Sequence, residues 1–349
     1  MTGGAEVQIL GAGPVGCTLA LALQGSGHGV RLVDPKPASG GTPRPIALSR
    51  ASRLILERVG AWGGFAATPI LSIHVSQAGA FGRTRMDAGD AGVPALGYVT
   101  DYAELLAALR KRVSVEREPG TNARCTIHAE GIANQARARR YGHDALVAQV
   151  TAELPSTNTA YERFTPQGPL ALLPLAGAWA LVWSTRAERA AELMQASPQE
   201  FLAQLQRAFG DRAGRFSALC SRARIPLALR VRGSRVADRE VYIGNAAQTL
   251  HPVAGQGLNL GLRDAWDLAQ ALHRTGDPGD ARVLGRFAAQ RRLDAAATIG
   301  VTELLARGFA GTNPLARAAR GALLTSLDLL PGARRFFARR MMFGPSALP

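Results

Sequence analysis

The sequence predicts an α/β protein whose first domain carries a Rossmann-like parallel sheet. A strand, a glycine-rich turn, a helix and a second strand follow one another at the N-terminus, and a second glycine-rich segment opens a helix near residue 255. The chain has 349 residues, of which 47% are hydrophobic. This length and composition are typical of a globular protein of about two domains.

The N-terminal segment matches a complete dinucleotide-binding fingerprint. Val7–Leu10 is predicted as a buried strand, Gly11–Gly16 (GAGPVG) as the turn, residues 17–24 as a helix and Val30–Val33 as a second strand that ends at Asp34. Glycine-rich turns alone are common, but here every flanking element agrees. The fingerprint does not distinguish FAD from NAD.

Each position of this turn has a physical task. Gly11 permits the tight turn, Gly13 lets the backbone approach a pyrophosphate, and Gly16 lets the helix pack on the strand. Pro14 and Val15 belong to the same turn, and the N-terminus of the helix that follows offers free N–H groups and a dipole that favour phosphate. Asp34, 18 residues after Gly16, is expected to accept hydrogen bonds from a ribose diol.

The segment Val241–Asp264 is the most specific in the chain. Residues 241–243 are predicted as a strand, 244–247 as a turn, and the helix opens at Gly255 (GQGLN). A second glycine-rich helix start implies a second anionic target. A reduced flavin provides one at its N1–C2=O edge, which backbone N–H groups would stabilise.

This segment closely resembles the FAD-dependent aromatic hydroxylases of ubiquinone biosynthesis, class A flavin monooxygenases with the para-hydroxybenzoate hydroxylase fold. The resemblance implies that Gly244 and Asn245 lie by the ribityl chain and phosphate, and that Arg44 lies near the flavin. Asparagine at 245, where the broader class usually has aspartate, favours the ubiquinone branch. The residues expected around the isoalloxazine ring are Pro252, Gly255, Gln256, Gly257, Leu258 and Asn259.

The resemblance covers nearly the whole chain and implies its architecture. A discontinuous FAD-binding domain is expected from residues 1–68, 95–135 and 230–290, and a mostly antiparallel substrate domain from residues 69–94 and 136–229. Helices are expected over residues 291–349. The candidates for the pocket wall, with plain core the favoured alternative for any single one, are Phe164, Leu170, Leu172, Leu173, Trp179 and Trp183.

The implied chemistry needs neither a catalytic triad nor a metal cluster, and the sequence shows neither. In the family, NAD(P)H or another donor reduces FAD, O2 adds as co-substrate, and a flavin C4a-hydroperoxide oxidises an aromatic ring. The implied substrate is a small aromatic molecule, a polyprenylated phenol. No second GxGxxG is present, so the donor would bind transiently or be a partner protein. The residues identify no general base.

The chain departs from the family pattern in mid-chain. Glu130-Gly131 replaces an Asp-Gly motif, and residues 114–124 are too few for the strands that relatives have there. Two alternatives therefore stay open: a hydroxylase of a soluble aromatic compound, and a non-catalytic scaffold subunit of a ubiquinone-biosynthesis complex.

The net charge of +15 is carried almost wholly by arginine and is dispersed, so it predicts no nucleic-acid partner. In residues 304–349, arginine alternates with apolar residues, which fits either a membrane or partner surface or helices packed on the enzyme. The N-terminus shows no targeting signal, and the longest apolar stretch is shorter than a bilayer span. We expect a cytoplasmic protein; peripheral contact at the inner membrane face, a biosynthetic complex and a homo-oligomer stay open.

Overall fold

The first sheet of the computed structural model confirms the predicted nucleotide-binding unit. The structure describes residues 6–35, 44–131, 136–249, 256–308 and 314–344. Five strands form this sheet in the order β14-β15-β8-β1-β2, and every neighbouring pair is parallel except β14–β15. The strands are β1 (Val7–Leu10), β2 (Val30–Val33), β8 (Cys125–His128), β14 (Val236–Ala237) and β15 (Glu240–Tyr242).

Helices enclose this sheet and form the largest apolar core with it. Residues 111–124 contain no strand; Glu116 makes a single parallel bridge to Val33, so this stretch is as short as the sequence indicated. The enclosing helices are α1 (Pro14–Ala22), α2 (Arg50–Arg58), α3 (Tyr102–Arg110) and α6 (Gln256–Leu272).

A small antiparallel sheet lies between the nucleotide unit and the second large sheet. Its strand order is β3-β7-β4, and β7 leads directly into α3. The strands are β3 (Pro45–Ser49), β4 (Thr68–Ile70) and β7 (Gly97–Asp101).

The second large sheet has eight strands in the order β16-β13-β9-β12-β11-β10-β5-β6. It is mostly antiparallel, as expected, with one parallel pair, β10–β5. Helices α4 (Ala187–Gln195) and α5 (Pro198–Phe209) cover one of its faces. The strands are β5 (Ser72–Gln77), β6 (Arg83–Asp87), β9 (Arg137–Ala152), β10 (Thr159–Thr165), β11 (Gly168–Leu175), β12 (Ala178–Arg186), β13 (Phe216–Val231) and β16 (Gln248–Thr249).

Three helices end the described chain: α7 (Ala281–Gly308), α8 (Pro314–Leu329) and α9 (Pro331–Phe343). Leu324 of α8 packs against Phe164 and Val75 of the eight-stranded sheet. Within the described ranges, none of the helices combines the length and apolar character that a bilayer crossing requires.

A buried ionic cluster joins the elements around the second glycine-rich segment. The Asp264 side chain on α6 is fully buried and accepts hydrogen bonds from the Gly244 backbone N–H at 3.0 Å and from Arg291 Nε at 2.7 Å. Arg235 and Gln248 also donate to it, at 3.2 and 3.1 Å. One carboxylate thus holds α6, α7, the Gly244 turn, β16 and the segment that enters β14 in fixed relative positions.

We expect Asp264→Asn to lower the free energy of unfolding by about 3 kcal/mol. Asparagine keeps an acceptor for Gly244 but leaves the buried Arg291, 3% exposed, with less compensating charge. Chemical denaturation measures the effect. Asp238→Asn, at an exposed turn, is the matched control; equal stability of the two variants would contradict a stabilising role for the cluster.

Candidate functional site

The two glycine-rich segments converge on one large cavity. Because β1 and β15 both pair with β8, the turns that follow them lie at the same edge of the sheet. The cavity has a volume of about 1450 Å³, above the roughly 300–1,000 Å³ typical of drug-sized ligands. The predicted site residues that line it are Gly11, Gly13, Pro14, Val15, Asp34, Arg44, Gly244, Asn245, Gln256, Gly257, Leu258 and Asn259. Pro252 and Gly255 lie outside the described residues.

Two of the three fingerprint glycines are required by packing. Gly11 has a φ of +100°, and a Cβ there would lie 2.7 Å from the Ala129 and Glu130 backbone. A Cβ on Gly16, which lies in α1 behind the cavity wall, would lie 1.9 Å from the Gly11 carbonyl oxygen. These glycines therefore fix how the turn packs on α1 and β8.

Gly13 is different, because the protein itself does not require glycine there. Its φ is −74°, and the nearest atom to a Cβ at this position would be Tyr102 Oη at 3.8 Å. No side chain in the described part of the chain caps α1, so the first N–H groups of the helix face the cavity. Among the described residues, a Cβ on Gly257, at the other glycine-rich segment, would also meet nothing within 4 Å. The cradle thus fits a pyrophosphate-containing cofactor.

Val15 joins the two glycine-rich turns. A Cβ on Gly244, whose φ is +58°, would lie 3.3 Å from the Val15 side chain, and one on Gly261 would lie 2.8 Å from it. Asn245 next to Gly244 is exposed, whereas its neighbours are buried. The turn therefore presents the Asn245 side chain to the cavity while its backbone packs against α1.

Asp34 is held in place by an arginine that the sequence did not identify. Arg110, the last residue of α3, donates to the Asp34 carboxylate and, through Nε at 2.9 Å, to the Ala12 carbonyl. Arg110 also lines the cavity. It therefore fixes the acid that follows β2 relative to the first glycine-rich turn.

Arg44 directly precedes β3 and lies beside the N-terminus of α3. Its backbone N–H donates to Asp101 at 2.7 Å, and its guanidinium lies 5.5 Å from the centre of the Tyr102 ring. The side chain is exposed and lines the cavity, so a cation is available at this edge.

The Asn259 side chain is committed to the protein itself. Its oxygen accepts from the Ser49 backbone at 2.8 Å and the Ser52 hydroxyl at 2.7 Å, and its amide donates to the Ala47 carbonyl at 2.9 Å. Asn259 therefore ties α6 to β3 and α2.

Glu130 and Gly131 also line the cavity, next to Gly11. The Glu130 carboxylate lies 3.3 Å from His128 Nδ1 and is exposed, and Gly131 has a φ of +83° that favours glycine. Glu130 and Gly131 therefore lie beside the first glycine-rich turn.

Residues 107–301, more than half of the chain, match the sequence profile of the FAD binding domain family. The chain belongs to this family. The cofactor is therefore FAD, a choice that the N-terminal fingerprint, which lies outside the matched residues, did not make between FAD and NAD.

Ubiquinone hydroxylases are among the relatives. UbiL of Rhodospirillum rubrum is 32% identical over 97% of this chain and 89% of its own length. The 3-demethoxyubiquinol 3-hydroxylase of Escherichia coli is 28% identical, with 93% and 94% covered. The predicted resemblance to this branch is confirmed, and the two alternatives are not favoured.

Solved structures support the fold. The p-nitrophenol 4-monooxygenase PnpA from Pseudomonas putida superposes with a TM-score of 0.77 at 16% identity, covering 98% of both chains. HpxO of Klebsiella pneumoniae, complexed with FAD and uric acid, gives 0.76 at 17% identity, covering 99% of both. The chain therefore has the fold of FAD-dependent monooxygenases.

The far end of the cavity in this flavoprotein is apolar. The eight-stranded sheet faces it with Phe164 and Leu173, while α8 and α9 close it with Leu324, Phe337 and Met342. Sequence analysis did not identify these helices as part of the site, since basic and apolar residues interleave along them without marking an inner face.

Of the six pocket-wall candidates, Phe164 and Leu173 line the cavity, and the other four are core residues, the alternative favoured for any single one. Leu170, Leu172, Trp179 and Trp183 pack beneath α4 and α5 on the opposite face of the sheet. Side chains alternate between the two faces of a strand, so the cavity instead receives Ala171, Leu173, Val182 and Ser184. Both faces are largely apolar, and alternation alone does not reveal which one lies over a cavity.

One acid also lines this apolar end. Glu162 lies in the middle of β10, and burial raises the pKa of its carboxyl from 4.5 to about 7. It is a site residue that sequence reasoning missed. The strand TAYERFT has a charged residue on each of its faces, so the sequence did not indicate which charge faces inward.

The pKa of Glu162 predicts how stability depends on pH. Between pH 4.5 and about 7 the folded protein keeps a proton that the unfolded chain has lost, so stability falls as pH rises through this interval. The loss amounts to at most about 3 kcal/mol and levels off above pH 7. Glu162→Gln should remove this pH-dependent component.

Unfolding free energies of both proteins, measured by denaturant titration between pH 4.5 and 7.5, test this prediction. Glu188→Gln, on an exposed position of α4, is the matched control and should follow the wild type. Parallel curves for wild type and Glu162→Gln would show that the Glu162 carboxyl is not desolvated.

Proposed function

We propose that this FAD-dependent monooxygenase hydroxylates the aromatic ring of a prenylated phenol in ubiquinone biosynthesis. The observation that supports the proposal is the continuous cavity, which runs from the two glycine-rich turns to an apolar chamber. Its volume of about 1450 Å³ provides room for a dinucleotide and a second, apolar molecule. The names of the relatives UbiL and the Escherichia coli hydroxylase agree with such a substrate.

In this proposal different groups of the predicted residues contact different parts of FAD. Residues 11–16 and Asp34 hold the pyrophosphate and ribose, while Arg44, Gly244 and Asn245 hold the phosphate and ribityl chain. Gln256–Asn259 lie around the ring. Bound FAD supplies the oxygen transfer from O2, with electrons from NAD(P)H or a partner protein. The protein orients the ring and excludes water.

The proposed domain division is supported by the origins of the strands. All strands of the parallel sheet fall within residues 1–68, 95–135 and 230–290, and most of the eight-stranded sheet falls within 69–94 and 136–229. β16 (Gln248–Thr249) belongs to the eight-stranded sheet although it lies in the third FAD segment. We therefore propose these boundaries, with β16 as a strand that the FAD-binding segment 230–290 contributes to the sheet of the substrate domain.

Gly13→Ala tests the cofactor site. The new methyl has space in the free protein, so the unfolding temperature should be unchanged, but it would occupy the approach of the pyrophosphate. We expect FAD, measured by flavin absorption and fluorescence titration, to bind at least about tenfold more weakly. Gly89→Ala, at an open exposed turn, is the control; unchanged FAD affinity in Gly13→Ala would contradict the assigned site.

The reaction itself is tested with the flavin-loaded wild type. A prenylated phenol should stimulate NAD(P)H oxidation, or oxidation of an added reductase, and yield a product one oxygen atom heavier by mass spectrometry. A protein that binds FAD stoichiometrically but hydroxylates no phenol with any donor would contradict the proposed activity.

We also propose that α8 and α9 rest on an anionic membrane surface. Their outer faces expose Leu329 (73%) and Phe336 (72%), with Arg335 and Arg339 exposed beside them. Apolar side chains flanked by arginines suit the interface of anionic lipids. The inner faces of the same helices line the apolar chamber, so a prenyl tail could pass from lipid to site along them.

The double substitution Leu329→Ser with Phe336→Ser should weaken binding to phosphatidylglycerol-containing vesicles at least about tenfold, because two apolar anchors are lost. Co-sedimentation measures the binding, which should also fall with salt. Leu293→Ser, on α7 and 71% exposed, is the control. Equal binding of the double variant and the control would contradict the membrane proposal.

A further inference from the structure

Glu162 lies in an otherwise apolar row of the sheet that faces the chamber. Its pairing partners are Val75 on β5 and Ala171 on β11. The row continues through Val182 on β12 to Val147 on β9. All five side chains line the cavity. An ionisable group in this row is costly unless something hydrogen-bonds to it.

The described residues provide no such partner. No hydrogen bond or ion pair to the Glu162 carboxyl is formed within the described ranges, and the pKa is raised by burial alone. β11 has no titratable residue, and His74 on β5 pairs with Tyr161 on the opposite face. Arg320 on α8 also lines the cavity, but it forms no ion pair with Glu162 and does not lower the pKa of the Glu162 carboxyl. The carboxyl therefore has hydrogen-bonding capacity that faces the ligand space.

The apolar walls around the Glu162 carboxyl restrict the chemistry of the ligand that the chamber can bind. A carboxyl in an apolar chamber selects a molecule with a hydrogen-bond donor on an otherwise apolar body. A phenol has this chemistry, since its hydroxyl donates while ring and tail contact the apolar walls. An aryl ether of the same shape has no donor and would leave the carboxyl unpaired.

Resting on the proposed function, we propose that the Glu162 carboxyl accepts a hydrogen bond from the ring hydroxyl of the aromatic substrate and so orients the ring in the chamber. The ionised carboxyl is the stronger acceptor. Because the pKa of Glu162 is about 7, binding of a phenol should strengthen as pH rises from 6 to 8. A phenol, with a pKa near 10, keeps its proton throughout.

The test compares two probes that differ only in the donor: 4-octylphenol and its methyl ether, 4-octylanisole. Their affinities for the FAD-loaded protein are measured by calorimetry at pH 6 and pH 8, without reductant, so that no turnover occurs. At pH 8 the wild type should prefer the phenol by about tenfold or more. At pH 6 the preference should be smaller.

Glu162→Gln removes the charge and Glu162→Leu removes the acceptor; leucine suits the apolar row, so this variant should fold. Glutamine should reduce the phenol preference and abolish its pH dependence, and leucine should reduce the preference to about twofold or less. Binding of the anisole should be unchanged in both. Glu188→Gln on α4 is the control and should behave as the wild type.

A phenol preference retained in Glu162→Leu would overturn the assignment, as would a wild type that binds the two probes equally or binds neither. The result is separable from the proposed activity, because binding is measured without oxygen transfer. Discrimination that depends on Glu162 in a protein without hydroxylase activity would support the anchor while contradicting the proposed reaction. Hydroxylation without discrimination would overturn the anchor alone.

Discussion

The site depends on the carboxylate of Asp264 more than on any other group. Burial by itself would raise the pKa of this acid, but Arg291 and Arg235 hold it below its ordinary value. The charged acid then accepts the Gly244 N–H at 3.0 Å. It thereby fixes the turn that presents Asn245 to the cavity. This turn packs against the Val15 side chain, which belongs to the first glycine-rich segment. The two glycine-rich turns are therefore held in a fixed position relative to each other.

Opposite chemistry at the two ends of the cavity follows from the fold. The nucleotide end lies where parallel strands stop and helices begin, so it offers backbone N–H groups and the charges of Asp34, Arg44 and Arg110. The other end is a sheet face covered by α8 and α9, which offers apolar side chains. A flavin bridging both ends would place its reactive ring where water is least available.

The sequence predicted features that are coded locally and missed those that depend on tertiary register. The turn at Gly11 and the strand before it could be identified because glycine spacing and strand pattern lie within a few residues. The Arg110–Asp34 pair could not, since it depends on where α3 ends relative to β2. Likewise, β11 alternates Leu170 and Leu172 with Ala171 and Leu173, and both faces are equally suited to a core. Which face meets a cavity is decided by α4 and α5 on one side.

Two inward-facing acids of this molecule show how partners distinguish structural from ligand-facing groups. Asp264 and Glu162 are both desolvated, yet arginines lower the pKa of Asp264, whereas burial alone raises that of Glu162 to about 7. Asp264 is surrounded by fixed donors, which satisfy its carboxylate within the fold. Glu162 keeps an unmet hydrogen-bonding demand within the described structure. A ligand that brings a donor into the chamber would meet that demand, so the cost of burying Glu162 would favour a hydroxyl-bearing ring over one without a donor.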